Sequence, residues 1–590
     1  MRPTLSTLKA VWPVLRRAIA SGQLFRPQCE MVAPDPDIAV TWDVRVPMSE
    51  GYALTAQVFR SRRRMAAGER DPVIMCAHPY DNRKVPALGN TPLGGPPAQY
   101  RLLPQVGPRP RFSTQTSWEA PDPNLWVPAG YTLVNLNLPG FGDSGGPASI
   151  LSAHQGRCFR EAIAWAGAQD WSTGAVGLCG VSFLCMSQYL AAAAPEGEAL
   201  PDALKCIVPW EGVSDLYREL ACRGGIADTG FLSFWWETEV QSSLNVSLEE
   251  YLAVEENIPV EALAAHPFYD DYWRAKVPPL ERITVPMLVC GSFSDHELHT
   301  FGSFRAYEKA EAQQKWLYTH RSGKWTEFYR AETTDLIRAF LDHFLKGETT
   351  GFADNPPVRL EVRSTRDRVH AVRWESAWPL PRTEYRPLYL SVDGGLGPDR
   401  AGVAERASYD AATGHLAFEH VFAEDTELSG YMKLSLWVAA EGAADMALCC
   451  FVDKRDSAGR SVRFNGSVGQ TEDMVTRGYG RATRRQLDEA ASTPWHPVPL
   501  CEADDPLGQG EIVRLEIALC PSSTFFAAGE RLVLIVSGHD IVYAPIFRKD
   551  TSCNRGRHIL HFGGQHDAHL LVPVIPAKDS ATRFDAFATI

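Results

Sequence analysis

Residues 175–194 read AVGLCGVSFLCMSQYLAAAA, and the pattern changes once within them. The first five residues form a short apolar run of strand length, while Phe183 onward is an alanine-rich helical stretch carrying Met186 and Leu190. Between the two, Gly180-Val181-Ser182 leaves room for a single sharp turn. A buried strand that passes through Gly-x-Ser directly into a helix raises the serine hydroxyl at the carboxyl edge of a sheet. It also sets the next amide, that of Phe183, at a helix N-terminus, where partial positive charge meets a developing oxyanion. Ser182 is therefore the expected nucleophile. A Gly-x-Ser triplet alone is more often an ordinary turn or N-cap, and the common G-x-S-x-G form would need glycine where Leu184 stands.

Outward from this turn, strand-like runs alternate with helical segments: VTWDVRVPM, ALTAQVF, PVIMCAHPY, YTLVNLNLPG, CFREAIAWAGAQ and KCIVPW. Such alternation implies crossovers and a largely parallel sheet, which places the chain in the α/β class with an α/β-hydrolase domain. The reading divides the chain into an N-terminal helical extension (1–39), the hydrolase domain in two pieces (40–211 and 279–350), a helical cap inserted between them (212–278) and an all-β jelly roll (352–590). The cap is inferred from aromatic-rich helical stretches such as FLSFWWETEVQ. The jelly roll is inferred from period-two runs such as GYMKLSLWVAA and ERLVLIVSGHD. GETTGFADNPP, near 350, reads as a linker.

A nucleophilic serine on this fold needs an acid and then a histidine, in that chain order. Asp295 follows the strand MLVC and the turn GSFS; His320 follows the strand WLYT one helix later. Both should emerge at the edge that carries Ser182, with His320 as general base and Asp295 orienting it. His296 and His299 are competitors that are set aside as pocket or surface residues, because a base so near its own orienter in sequence looks awkward. His78 and His154 precede the nucleophile and are read as structural, and Glu297 is a weaker candidate for the acid. Phe231, Phe234, Trp235 and Trp236 of the cap are the candidate apolar pocket; core packing of the cap is the equal alternative.

Composition narrows the partners. The 590 residues are 45% hydrophobic and 22% charged, and the formal net charge of −13 disfavours a nucleic-acid partner. Arg60, Arg62, Arg63 and Arg64 form the one dense basic run, read as a solvated loop. Thirteen scattered cysteines without a CxxC pair, and the absence of HExxH, point to reduced thiols, no metal and no cofactor. Near the N-terminus Leu8, Val11, Trp12, Leu15 and Ile19 share a helical face, which reads as a surface helix rather than a secretory signal. No run approaches the roughly twenty apolar residues of a bilayer span. The expectation is a cytoplasmic protein acting on a small ester or amide, without a membrane partner, and with homo-oligomer formation left open.

Taken together, VRVPMSEGYALTAQVF, the HPYD segment at 78–81, GFGDSGG at 140–146, GLCGVSF, GSFSD, YTH and HFLKG resemble the CocE/NonD hydrolases, the family of cocaine esterase, α-amino-acid ester hydrolases and X-prolyl dipeptidyl peptidases. The resemblance covers most of the chain. It implies the split hydrolase domain, cap and jelly roll already read from the pattern. It also implies that the Tyr80 hydroxyl joins the Phe183 amide as an oxyanion donor. Three positions depart from the family: Phe183 replaces its tyrosine, Cys185 its glycine, and Asn137-Leu138-Pro139-Gly140 stands where relatives carry Asp-x-Arg-Gly. The function expected is ester cleavage through an acyl-enzyme. An X-prolyl or β-lactam-type amidase, an acyltransferase and a non-catalytic carbohydrate-binding protein are the alternatives.

Overall fold

The computed structural model describes residues 28–87, 95–102, 108–469, 472–542 and 546–576, with isolated positions between 12 and 26. Eight strands build the first sheet: β1 (Ile38–Pro47), β2 (Ala53–Ser61), β3 (Asp71–His78), β4 (Thr132–Asn137), β5 (Ser172–Val181), β6 (Leu204–Trp210), β7 (Met287–Ser292) and β8 (Lys315–His320). Hydrogen bonding orders them β1-β2-β4-β3-β5-β6-β7-β8. The pairings β1–β2 and β2–β4 are antiparallel and all later ones parallel. β3 and β4 are buried at every residue. Crossover helices cover both faces of a parallel sheet, so its strands are apolar without alternation. Helix α1 (Ala153–Gly167) is capped by Ser152, whose hydroxyl accepts from the Gln155 amide, and α2 (Phe183–Ala192) follows β5 after one residue.

Between β6 and β7 the chain forms short helices, including Phe231–Trp235, Leu248–Glu255 and Pro259–Ala265. Ser247 and Glu250 close a capping box on the second, and Pro259 opens the third, where its missing N–H costs nothing. After β8 the chain is mostly β strand, paired for the greater part antiparallel. Thr426–Glu441 pairs with Val513–Phe526 on one side and with His569–Ile575 and Arg557–Phe562 on the other. Ala447–Arg455 pairs with Arg531–Ser537 and Thr476–Arg481 to form a facing sheet. Leu428, Leu434, Leu436, Leu448, Cys450, Val452, Leu534 and Val536 pack between the two as one core.

The stretch around 350 is largely exposed, as a linker would be, but it is anchored at one residue. Phe352 is buried, with its ring 5.0 Å from that of Trp316 and 5.2 Å from that of Phe340. The strand after it, Val358–Thr365, pairs parallel to β8, so the first sheet runs on into the β region without a break. Near the N-terminus, Leu8 and Val11 lie outside the described residues, and Trp12 and Ile19 are exposed. Among the described residues no helix is long and apolar enough to cross a membrane.

Candidate active site

The turn at Ser182 is tighter than sequence pattern alone conveys. Its φ of 60° and ψ of −116° reverse the chain in a single residue, a conformation that costs about 1–3 kcal/mol in a non-glycine residue. Its amide is held by the carbonyls of Trp210 at 3.1 Å and Glu211 at 3.0 Å. Asp81, Glu119 and Glu211 also sit at positive φ, so backbone strain gathers around this turn. The two missing glycines are compensated across the turn. A Cβ on Gly180 would come within 2.6 Å of the Leu184 Cβ, and one on Gly212 within 2.4 Å of the Cys185 sulfur. The bulk placed at 184 and 185 is thus received by glycines at 180 and 212.

The histidine that meets this serine is His299: its Nε2 lies 3.2 Å from Ser182 Oγ, and its Nδ1 lies 2.5 Å from Asp295 Oδ2. After β7 the chain makes one helical turn, in which the amides of Leu298 and His299 donate to the Asp295 carbonyl at 3.1 Å. Residues four apart on such a turn stand side by side, so short spacing favours the pair. Burial and then the Lys324 ammonium push the His299 imidazole below its ordinary value, and Asp295 only partly offsets them. Burial works to raise the Asp295 carboxyl. The charges of His299 and Lys324, with hydrogen bonds from His299 and Ser467, outweigh it and hold the group ionised. Lys324 Nζ lies 3.3 Å from His299 Nδ1 and 3.8 Å from Asp295 Oδ2.

His320, expected as the base, lies elsewhere and makes no contact with Ser182. It is still paired in register with Ser292 as the last residue of β8. A side chain inside a strand points to a face of the sheet, not out of its edge. The ring accordingly stacks on Trp210 at 6.2 Å, and its Nε2 meets Glu211 Oε1 at 2.9 Å, with both residues fully buried. Ser292 Oγ donates to the other Glu211 oxygen at 2.6 Å. Burial disfavours the imidazolium, but the Glu211 charge and hydrogen bond overcome it and raise His320. His296 meets Asp473 and Glu297 meets Arg477 and Tyr479, so neither replaces a member of the pair at Ser182.

A narrow cavity of about 60 Å³ opens on Ser182 and His299. Tyr80, Phe183, Phe231 and Trp235 line it; Trp236 does not, being buried against Tyr251 with ring centroids 4.9 Å apart. Trp235 stacks on Phe183 at 6.0 Å, and its indole N–H donates to the Tyr80 hydroxyl at 3.1 Å. Tyr80 therefore accepts from Trp235 and keeps its own O–H to donate. Burial raises Tyr80 far above its ordinary value, so that proton stays in place. Two acids unforeseen from sequence share the wall. Burial pushes Glu119 up to about 8, against Lys324 and a 2.7 Å bond from Trp325, and pushes Glu239 up to about 7, against Gln99 and Lys324. A wider cavity of about 300 Å³ adjoins the first and shares Tyr80, Gln99, Trp118 and Glu239 with it.

Two groups of side chains have the composition of metal ligands: Glu211 with Cys290 and His320, and Glu211 with Asp295 and His299, each set within 4.8 Å. His299 Nδ1 and Asp295 Oδ2 meet each other, as do His320 Nε2 and Glu211 Oε1, and burial raises the Cys290 thiol well above its ordinary value. The arrangement at Ser182 can pass a proton from hydroxyl to imidazole beside the Tyr80 hydroxyl, which lines the same cavity. The signal for His299 was in the sequence, as the i, i+4 spacing Asp295–His299. Lys324, Glu119, Glu239 and Glu211 carried no readable pattern.

Residues 50–326 match the family model of X-Pro dipeptidyl-peptidase (S15 family), and residues 350–571 match that of the X-Pro dipeptidyl-peptidase C-terminal non-catalytic domain. Cocaine esterase of a Rhodococcus species is 23% identical over 92% of this chain and 99% of its own length. A putative serine esterase of Mycobacterium tuberculosis is 29% identical over 36% of this chain and 37% of its own. The crystal structure of a CocE/NonD family hydrolase from Staphylococcus aureus superposes with a TM-score of 0.83 at 33% identity, covering 91% of this chain and 94% of that one. An α-amino-acid ester hydrolase shares the fold, with a TM-score of 0.66 at 16% identity over 92% of this chain and 98% of its own. Sharing a third of its residues and the fold with the Staphylococcus aureus hydrolase over nearly the whole length of both, this chain belongs to the CocE/NonD family of serine hydrolases.

Proposed function

We propose that the protein hydrolyses an ester of a small, mainly apolar acyl group through an acyl-enzyme on Ser182, with His299 as general base and Asp295 orienting it. The reading rests on one observation, the chain of contacts from Ser182 Oγ to His299 Nε2 at 3.2 Å and from His299 Nδ1 to Asp295 Oδ2 at 2.5 Å. Ser182 Oγ bonds to the substrate carbonyl carbon as His299 Nε2 takes its proton. The carbonyl oxygen, now an anion, is met by the Phe183 amide and the Tyr80 hydroxyl. As the tetrahedral intermediate collapses, His299 returns the proton to the departing alkoxide, leaving the acyl group on Ser182. Water then repeats the sequence and releases the acid.

The narrow cavity suits the acyl group, because most of its wall is apolar, with Leu151, Met186, Leu216 and Leu298 beside the aromatics, and burial raises both of its acids. The wider cavity, with Asp81 and Lys84 at its rim, suits the leaving alcohol. Ester is favoured over amide because an alkoxide leaves more readily than an amine anion. The test is turnover of a p-nitrophenyl ester series by wild type, Ser182→Ala, His299→Ala and His320→Gln, with a fluorophosphonate probe reporting Ser182. Loss in the first two variants and retention in the third is expected. An active His299→Ala enzyme would sink the assignment of the base.

A further inference from the structure

The β sandwich reaches into the site. Between its strands Ser461–Val462 and Thr476–Arg481, the chain leaves through a neck where Phe464 and Asp473 exchange backbone hydrogen bonds of 3.0 and 2.8 Å. Beyond the neck, Asn465 Nδ2 donates to the Arg321 carbonyl at 2.9 Å, and Ser467 Oγ accepts from the Glu297 amide at 2.8 Å. That amide belongs to the helical turn that joins Asp295 to His299. Ser467 is 1% exposed, and its hydroxyl is among the groups that hold Asp295 ionised. Val468 comes next, at φ 42°, a backbone region in which a β-branched residue is strained. It lines the cavity at Ser182 and also a small space bounded by Asp295, Lys324 and Gly466.

The same strands grip the rest of the turn. His296 Nδ1 lies 3.3 Å from Asp473 Oδ2; Arg477 reaches both Asp473 and Glu297; the Tyr479 hydroxyl donates to Glu297. Lys549 approaches Glu297 at 3.4 Å and Asp228 of the inserted segment at 3.6 Å. A buried ionic network between sheets is by itself an ordinary interface. What distinguishes this one is its target, since residues 296 and 297 are both tied to the β sandwich within the five-residue turn that presents acid and base.

We infer that the loop Asn465–Val468 is part of the active site, with Ser467 a positioning residue for the Asp295–His299 pair and Val468 a wall of the acyl cavity. This rests on the triad reading above. The consequence is that a region matched as a non-catalytic domain sets both the rate and the acyl selectivity of the hydrolase.

The full-length enzyme carrying Ser467→Ala, Ser467→Thr, Val468→Ala or, as control, His299→Ala is assayed on p-nitrophenyl esters of increasing acyl length. Since a misplacement of about 1 Å can cost about a hundred-fold, Ser467→Ala should lower kcat and fluorophosphonate labelling by about ten-fold or more with little change in KM. Ser467→Thr, which keeps the hydroxyl, should restore most of the rate. Val468→Ala should shift the preferred ester to a longer acyl chain. An inactive His299→Ala beside a Ser467→Ala variant of wild-type kcat would overturn the positioning role alone. So would a Ser467→Ala loss that threonine fails to rescue. An unchanged chain-length profile in Val468→Ala would remove it from the cavity wall. An active His299→Ala would overturn the triad reading itself.

Discussion

Two of the buried histidine–carboxylate pairs lie a few ångströms apart, and they differ in what lies on the far side of the ring. His299 meets Asp295 through Nδ1 and turns Nε2 to Ser182; His320 meets Glu211 through Nε2 and leaves Nδ1 without a partner among the described residues. One stands on a helical turn beyond β7, the other inside β8. Glu211 approaches both pairs, and its carbonyl accepts from the Ser182 amide, so the second pair braces the base of the nucleophile turn. Chemical identity and burial are alike in the two pairs. Side-chain direction decides which ring meets the serine, and burial with Lys324 lowers that ring while Glu211 raises the other.

The hardest way to break this comparison is to remove one histidine at a time. Ser182→Ala and His299→Ala should each lose about three to six orders of magnitude in turnover, measured as kcat on the best ester, because residues acting as a unit fail together. Asp295→Asn should lose up to about ten-thousand-fold by leaving His299 in the wrong tautomer. A near-normal rate in that variant would hand the orienting role to Glu211. Tyr80→Phe keeps the ring and removes only the donor; about a hundred- to a thousand-fold should be lost, in kcat rather than KM.

His320→Gln should reverse the pattern, with kcat per folded molecule within a few-fold of wild type and a stability loss of about 3–5 kcal/mol from the broken buried pair, read by urea unfolding. The sign with pH follows from the raised folded value of His320. Its contribution is fully present below the ordinary imidazole value of 6.5 and is lost as pH rises through the raised one. The gap between wild type and variant should therefore narrow in alkaline buffer, and a gap that widened there would refute the ion pair.

The smallest effect sharpens the other pair. Because His299 is depressed, the acid limb of the kcat/KM profile should lie below 6.5, activity falling only as the imidazole takes up a proton. Asp295, Lys324 and Glu211 face this ring, with Glu119 behind Lys324 and His320 behind Glu211. Lys324→Met removes the one cation among them that lowers it, so the limb should move to higher pH while the plateau changes little. A limb that stayed in place would show that burial alone sets the value.

The sequence by itself determined the sheet, the inserted cap, the β sandwich and the turn at Ser182, because period, strand length and a Gly-x-Ser junction are local properties that backbone sterics translate directly into shape. It also brought Asp295 to the correct edge, since the end of a strand can be read from where its apolar run stops. It did not decide between His299 and His320. That choice depended on whether β8 ends at Thr319 or at His320, a difference of one residue that turns a side chain from the edge of the sheet to its face. Neighbouring tryptophans tell the same story: Trp235 lines the cavity and Trp236 packs into the cap, because successive residues on a helix point about 100° apart. Ser467 and Val468 lay beyond any local reading. Only the docking of the β sandwich on the turn after β7 brings them to Asp295, and that contact is specified by a buried network of ions whose members are scattered from Arg223 to Lys549.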